Sequence, residues 1–305
     1  MRIVDVGAMG DSQMTQTGSG SAEQALNKTG RPGRTLWKAV SRVAVIAGIA
    51  YAMAAGYMYF NQRSFIFVPT GELSTPDEKG LSGVTVETAA MADGTKVTVW
   101  HAPPAAEGAP TVLYFHGNSA NVSSRWKRFK QILDSGFGLY APSYRGYAGS
   151  EGRPSEEALI SDGLEHFDRM AASGTPVIVH GESLGSGVAA AVAAERPQTD
   201  LVVLEAPYTA LVDMAWDRYP WLPVGFMMRD PMATRDRVGK IAAPVLIVHG
   251  TEDRVIPVEH GRRLYEFAKD PRQLVIVEGG GHSNLWSNGM WDFVLAAWVK
   301  WHEGS

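Results

Sequence analysis

From Val43 to Phe60 the chain reads VAVIAGIAYAMAAGYMYF, 18 residues without a charge. As a helix this run is about 27 Å long at ~1.5 Å per residue, close to the hydrocarbon thickness of a bilayer. Beyond it, short runs rich in β-branched and aromatic residues alternate with stretches of helical periodicity. The runs predict strands at Ser64–Val68, Val84–Thr88, Lys96–Trp100, Thr111–Phe115, Gly138–Ala141, Pro176–His180, Leu201–Glu205, Pro244–His249 and Arg272–Val277. The periodic stretches predict helices at Ser123–Ser135, Ser155–Ala171, Leu184–Arg196, Val258–Lys269 and Asn284–His302. The last six strands are nearly continuous apolar runs, as parallel strands buried on both faces must be, and helices separate most of them. The pattern predicts one doubly wound α/β domain with an antiparallel start.

Met1 to Arg34 are rich in Gly, Ser, Thr and Gln and carry no sustained apolar period, which reads as a flexible tail. The expected division is a tail over 1–38, a transmembrane anchor over 39–62 and one globular domain over 63–305. Lys28, Arg31, Arg34, Lys38 and Arg42 flank the apolar run on its N-terminal side, against Arg63 alone before Glu72, Asp77 and Glu78 on the other. The positive-inside rule then puts the N-terminus in the cytoplasm and the domain outside it, in the periplasm if the cell is bacterial. Tyr57 and Tyr59 fall near the far interface, where amphipathic rings collect. A buried core helix and a cleaved signal peptide using Ala52-Met53-Ala54 are the competing readings. A signal peptide rarely carries some 40 residues before its apolar stretch, which favours the anchor. Ala44, Gly48, Ala52 and Gly56 recur every four residues, a stripe that would let a second helix approach and the chain self-associate.

Composition narrows the function. In 305 residues, 28 Lys+Arg against 32 Asp+Glu leave a formal charge of −4, which is no nucleic-acid footprint. The absence of Cys excludes a disulfide framework, a thiolate metal site and a cysteine nucleophile.

The run ending at His180 leads into Gly181-Glu182-Ser183-Leu184-Gly185, followed by an Ala- and Val-rich helix. A serine raised on a sharp strand-to-helix turn needs small neighbours two residues to either side, and Gly181 and Gly185 supply them. The five-residue motif alone is weak; its place between a buried strand and a helix is what a nucleophile elbow demands. Such a serine needs a base, and the base an acid that fixes its tautomer. Asp253 follows the run PVLIVHG and His282 follows QLVIVEG, so both fall at strand ends, in the order nucleophile, acid, base. A turn acid and a helix-start histidine are the plainer alternatives. For a developing oxyanion, one donor is the backbone N–H of Leu184. The other is the N–H of Asn118 in His116-Gly117-Asn118-Ser119, where Gly117 allows close approach; a capped loop is the alternative.

Together these residues resemble the α/β-hydrolase superfamily, and more narrowly its membrane-anchored α/β-hydrolase-domain branch of lysophospholipases, monoacylglycerol-type lipases and depalmitoylases. The likeness runs from Asn61 to His302 through Asn61-Gln62-Arg63-Ser64-Phe65-Ile66-Phe67-Val68-Pro69, Phe115-His116-Gly117-Asn118, Tyr144-Arg145-Gly146-Tyr147, the serine motif, Ala206-Pro207-Tyr208, His249-Gly250-Thr251-Glu252-Asp253 and Gly281-His282. Ser143 stands where the branch usually has Asp, and Ser119-Ala120 where it has Ala-Gly. The resemblance implies an α/β-hydrolase fold: a mostly parallel eight-stranded sheet flanked by helices, with a short helical cap. It implies Ser183 as nucleophile, Asp253 as acid, His282 as base, and Asn118 and Leu184 as oxyanion donors. No metal or cofactor is required.

The cap falls around 207–240, and its apolar residues line an acyl slot, touch a bilayer or simply pack. Ser119, Tyr147, Trp216, Trp221 and Phe226 are the candidates for substrate contact. The expected activity is hydrolysis of a carboxylic ester or thioester of an ester or lipid-like acyl substrate through an acyl-enzyme. Acyl transfer to another alcohol by the same residues, and a non-catalytic tethered scaffold, are the alternatives.

Overall fold

A computed structural model describes residues 32–303. Residues 1–31 of the expected tail lie outside the described residues, and Pro32 to Lys38, its last part, are helical. The chain divides into two compact units, residues 1–57 and 58–305. One helix, α1 (Pro32–Ile66), carries the apolar run and ends in the second unit. Among the described residues it is the one helix long and apolar enough to cross a membrane. It outruns the expected 39–62 at both ends.

The strand expected over Ser64–Val68 does not form. Ser64 to Ile66 close α1, and only Val68–Pro69 pair, in parallel, with Ser119–Ala120. Long-range contacts override the β-prone composition, since the Gln62 and Arg63 side chains bond residues 227–230 while still helical; locally, the Ser64 hydroxyl donates to the Asn61 carbonyl one turn back.

The second unit is built on an eight-stranded sheet: β1 (Thr85–Ala90), β2 (Lys96–Ala102), β3 (Thr111–Phe115), β4 (Gly138–Pro142), β5 (Val177–Glu182), β6 (Leu201–Glu205), β7 (Val245–Gly250) and β8 (Arg272–Val277). Their order is β8-β7-β6-β5-β3-β4-β2-β1. β2 runs antiparallel to β1 and β4, and the other pairs are parallel. Strands β3 to β7 are buried at every position, which is why their sequences show no polar alternation.

The longer connections hold α2 (Trp126–Asp134), α3 (Glu156–Ala171), α4 (Leu184–Glu195), α5 (Leu211–Arg218), α6 (Val224–Met227), α7 (Arg235–Val238) and α8 (Val258–Phe267), and α9 (Met290–Trp298) follows β8. Alternate strand residues feed two apolar clusters, one on each face of the sheet. Leu113, Val179, Leu204 and Ile247 pack with Phe167 of α3, Val188 of α4 and Leu264 of α8. Val112, Ile178, Val203 and Val248 pack with Phe129 of α2 and Trp291 and Val294 of α9. The helix expected over Asn284–His302 is broken: a 3-10 turn at Leu285–Asn288 ends on Gly289, whose φ of 85° no side-chain-bearing residue readily adopts, before α9 begins. The cap region consists of α5, α6 and α7 with their links.

Candidate active site

Ser183 links β5 to α4 with φ 50° and ψ −115°, one of four non-glycine residues with positive φ among those described. The strain is held by the Ser183 N–H, which donates to the Glu205 carbonyl of β6 at 2.8 Å, and by crowding that admits only glycine beside it. A Cβ at Gly181 would strike the backbone of Gly185, and one at Gly185 would strike the Phe115 carbonyl.

His282 and Asp253 meet the serine from the ends of β8 and β7. His282 Nε2 lies 3.1 Å from Ser183 Oγ, and its Nδ1 lies 2.7 Å from Asp253 Oδ2. The other carboxylate oxygen accepts the Val255 and Ile256 N–H groups at 2.8 Å each, so Asp253 is both a turn acid and the histidine's partner. Burial alone would raise its pKa, but hydrogen bonds from His249, His282 and the Ile256 N–H outweigh it and hold the carboxyl well below the usual carboxylate range. His249, whose Nε2 is 2.9 Å from the Ile256 carbonyl, ties the same loop.

Leu184 is the first residue of α4, where helical N–H groups have no intrahelical partner, and with Asn118 and Ser183 it lines one cavity. The Asn118 carbonyl is held from two sides, by the Val68 N–H at 3.0 Å and the Tyr147 hydroxyl at 2.6 Å. Tyr147 is thus brought to the Asn118 loop as a support, with burial raising its pKa, and does not line the cavity over Ser183. Ser119, the exposed next residue, gives its carbonyl to Arg125 Nη1 at 2.7 Å.

Beneath the serine lies a buried charge network that the sequence reading missed. Glu182 takes a two-pronged bond from Arg125 (2.9 and 3.1 Å) and the Gly117 N–H at 3.2 Å. Arg128 bridges Glu182 at 3.2 Å and Glu205 at 3.0 Å, and Glu205 also accepts from Trp286 Nε1 and pairs with His180. Burial penalises the Glu182 charge, yet Arg128 and Arg125 hold its carboxyl far below the ordinary range. Two acids and two guanidinium groups thus tie the Ser183 turn to the loop bearing Asn118. A legible hint is that both glutamates end apolar runs, VIVHGE and LVVLE.

The cavity over Ser183 has a volume of about 260 Å³. Its walls are Met58, Tyr59, Gln62, Phe65 and Ile66 from the end of α1, Leu211, Met214 and Ala215 of α5, Leu222 to Met228 in part, and Val255 and Ile256 beside Asp253. Trp216, Trp221 and Phe226 do not line it; they are 54%, 54% and 94% exposed. Their apolar character marks the outside of the cap, and the residues that do line the cavity come from separate stretches with no local signature. Among the described residues no group of three or more His, Asp or Glu side chains could hold a metal ion.

A family model described as the α/β hydrolase fold matches residues 110–233. An uncharacterized protein of Mycobacterium tuberculosis, MT2364, is 31% identical over 255 residues, covering 81% of this chain and 89% of its own. Human protein ABHD12B is 34% identical over 214 residues, 61% of this chain and 59% of its own. Among solved structures, the Pyrococcus furiosus esterase PF2001 superposes with a TM-score of 0.61 at 17% identity, covering 77% of this chain and 97% of that one, a likeness of fold. With this sheet order and these relatives, the chain belongs to the α/β-hydrolase superfamily.

Proposed function

We propose that the protein is a membrane-anchored serine hydrolase that cleaves carboxylic esters or thioesters of acyl substrates through an acyl-enzyme. What carries the reading is one relay: Ser183 Oγ, His282 and Asp253 at successive separations of 3.1 and 2.7 Å, opening on an apolar cavity. In the proposed reaction Ser183 Oγ attacks the acyl carbonyl while His282 Nε2 takes its proton. Asp253 holds the opposite imidazole nitrogen and stabilises the imidazolium. The Asn118 and Leu184 N–H groups receive the tetrahedral oxyanion. His282 then returns the proton to the leaving alcohol or thiol, and water repeats the sequence on the acyl-enzyme. The apolar walls favour an acyl chain over a polar head at this position.

The test is hydrolysis of p-nitrophenyl esters from acetate to palmitate by the full chain in detergent, beside Ser183→Ala. The expected result is turnover lost with the serine, together with covalent labelling of Ser183 by a fluorophosphonate. Turnover that survives Ser183→Ala would overturn the role of the serine, and no turnover at any length together with no labelling would overturn the hydrolase reading and leave a tethered scaffold.

The anchor and its sidedness belong to the same proposal: α1 spans the bilayer once with the N-terminus cytoplasmic, on the strength of its uncharged run and the cationic flank before it. Because the chain lacks Cys, a single cysteine at exposed Glu72 reports the side directly. Labelling of intact spheroplasts by a membrane-impermeant thiol reagent is expected; labelling only after lysis would reverse the orientation.

A further inference from the structure

We propose that the last turns of α1, Met58 to Ile66, form a working wall of the acyl cavity, so that the anchor helix itself selects which acyl groups reach Ser183. The proposal rests on the ester-hydrolase reading above. Met58, Gln62 and Ile66 are spaced by four residues and therefore stack on one helix face, with Tyr59 and Phe65 at its margins. All five line the cavity that holds Ser183, Leu184 and Asn118. The three stacked residues are half-buried there, whereas Phe60 is 79% exposed and takes no part in the lining.

The wall is fixed in place by bonds that a passive tether would not need. Both ends of the Gln62 amide reach the cap backbone: Nε2 donates to the Met227 carbonyl at 3.2 Å as well as to the Tyr59 carbonyl of its own helix at 2.8 Å, and Oε1 accepts the Arg229 N–H at 2.7 Å. The next residue, Arg63, forks onto Asp230 at 2.7 and 3.1 Å. Asp230 is 1% exposed and also accepts the Glu156 N–H at the head of α3. The helix end, the cap strip 227–230 and α3 are therefore one clamped assembly. With the amide occupied, what Gln62 offers the cavity is its methylene stem, in line with the apolar groups around it. Since the cavity is small, about 260 Å³, a change of one side chain on this wall alters a large share of the space open to an acyl chain.

The experiment uses the full chain in lipid nanodiscs and reads the ratio of kcat/KM for p-nitrophenyl decanoate to that for the acetate. Filling the wall with Met58→Trp or Ile66→Trp is expected to lower this ratio about tenfold or more. Met58→Ala and Phe65→Ala, which cannot clash, are expected to shift preference toward bulkier branched acyl groups. Phe60→Trp, outside the lining, is expected to keep the wild-type ratio. A second readout does not need turnover: dansylaminoundecanoate binding to the Ser183→Ala protein, with affinity weakened about tenfold by either tryptophan. If no ester is cleaved in a Ser183-dependent manner, the hydrolase reading fails, and the dansyl probe still decides this proposal. An unchanged ratio and unchanged probe affinity in the wall variants, or no probe binding to Ser183→Ala, would overturn it.

Discussion

His116 Nδ1 lies 2.7 Å from the carbonyl oxygen of Gly117, the residue that follows it. That carbonyl belongs to the same planar peptide as the Asn118 N–H, and in a trans peptide the two point in opposite directions, so holding one aims the other. Burial, and then the Arg125 charge, push the His116 pKa down to about 3, so the ring is neutral. Its Nε2 faces the Tyr144 N–H at 3.4 Å, which leaves the ring proton on Nδ1, facing the carbonyl. We expect His116→Ala to lower kcat for the best p-nitrophenyl ester by about 10- to 100-fold with little change in KM, as loss of oxyanion stabilisation does. Asn118→Ala keeps the backbone donor and should stay within a few-fold of wild type. Equal losses in both variants would mean that the Asn118 side chain, not its peptide, faces the reaction.

Asp253→Asn separates orientation from scaffolding. An amide oxygen can keep the bonds from Val255 and Ile256, both 2.8 Å in the wild type, so the loop is expected to hold. The amide nitrogen then faces His282 Nδ1 and forces the proton onto Nε2, where the base must accept. A fall in kcat of about 10⁴ is expected with the melting temperature nearly unchanged. A variant with full activity would remove Asp253 from the relay.

Glu182 is expected to matter for stability before it matters for rate. Its removal in Glu182→Ala leaves the Arg125 guanidinium without its acid and the Arg128 guanidinium with Glu205 alone, their side chains being only 9% and 13% exposed. Breaking a buried pair from one side costs about 3–5 kcal/mol. Urea unfolding of the full chain in nanodiscs reads this directly, and a loss under 1 kcal/mol would mean that water reaches the network.

The legible parts of the site were those written locally. Ser183, Asp253 and His282 each follow an apolar run that ends in a turn, so the strand ends and the order of the three residues along the chain are legible locally. The expected antiparallel start, followed by parallel strands, agrees with the observed sheet. What was not legible depends on long-range pairing. The cavity is assembled from α1, the cap and the loop after β7, and no stretch announces its share. For the same reason Ser64 to Ile66 read as strand although the bonds of Gln62 and Arg63 to the cap keep them helical, and Tyr147 read as a substrate contact although its hydroxyl holds the Asn118 carbonyl.

Stability should fall between neutral and mildly acidic pH because burial lowers the pKa of His116, His166 and His260, the first two most strongly. Burial drives both His116 and His166 to a pKa of about 3, aided by Arg125 and Arg169 respectively, while an unfolded histidine titrates near 6.5. His166 meets the Tyr140 hydroxyl through Nδ1 at 3.3 Å, and its buried Nε2 has no hydrogen-bond partner. Between these two pKa values the unfolded chain binds a proton that the native state refuses, so stability decreases as pH falls. Going from pH 7 to pH 5, His116 and His166 each contribute a loss of about 2 kcal/mol. Asp253 and Glu182 do not add to this window. Their folded pKa values are depressed, so their contribution is essentially complete above about pH 5 and is lost only at lower pH. His166→Phe keeps an aromatic ring beside Tyr140, lies away from the reacting groups and removes this one titration. The loss of unfolding free energy between pH 7 and 5, measured by urea titration in nanodiscs, should then shrink by about 2 kcal/mol relative to the wild type. An unaltered loss would mean that His166 is already protonated in the folded protein or that water reaches its ring.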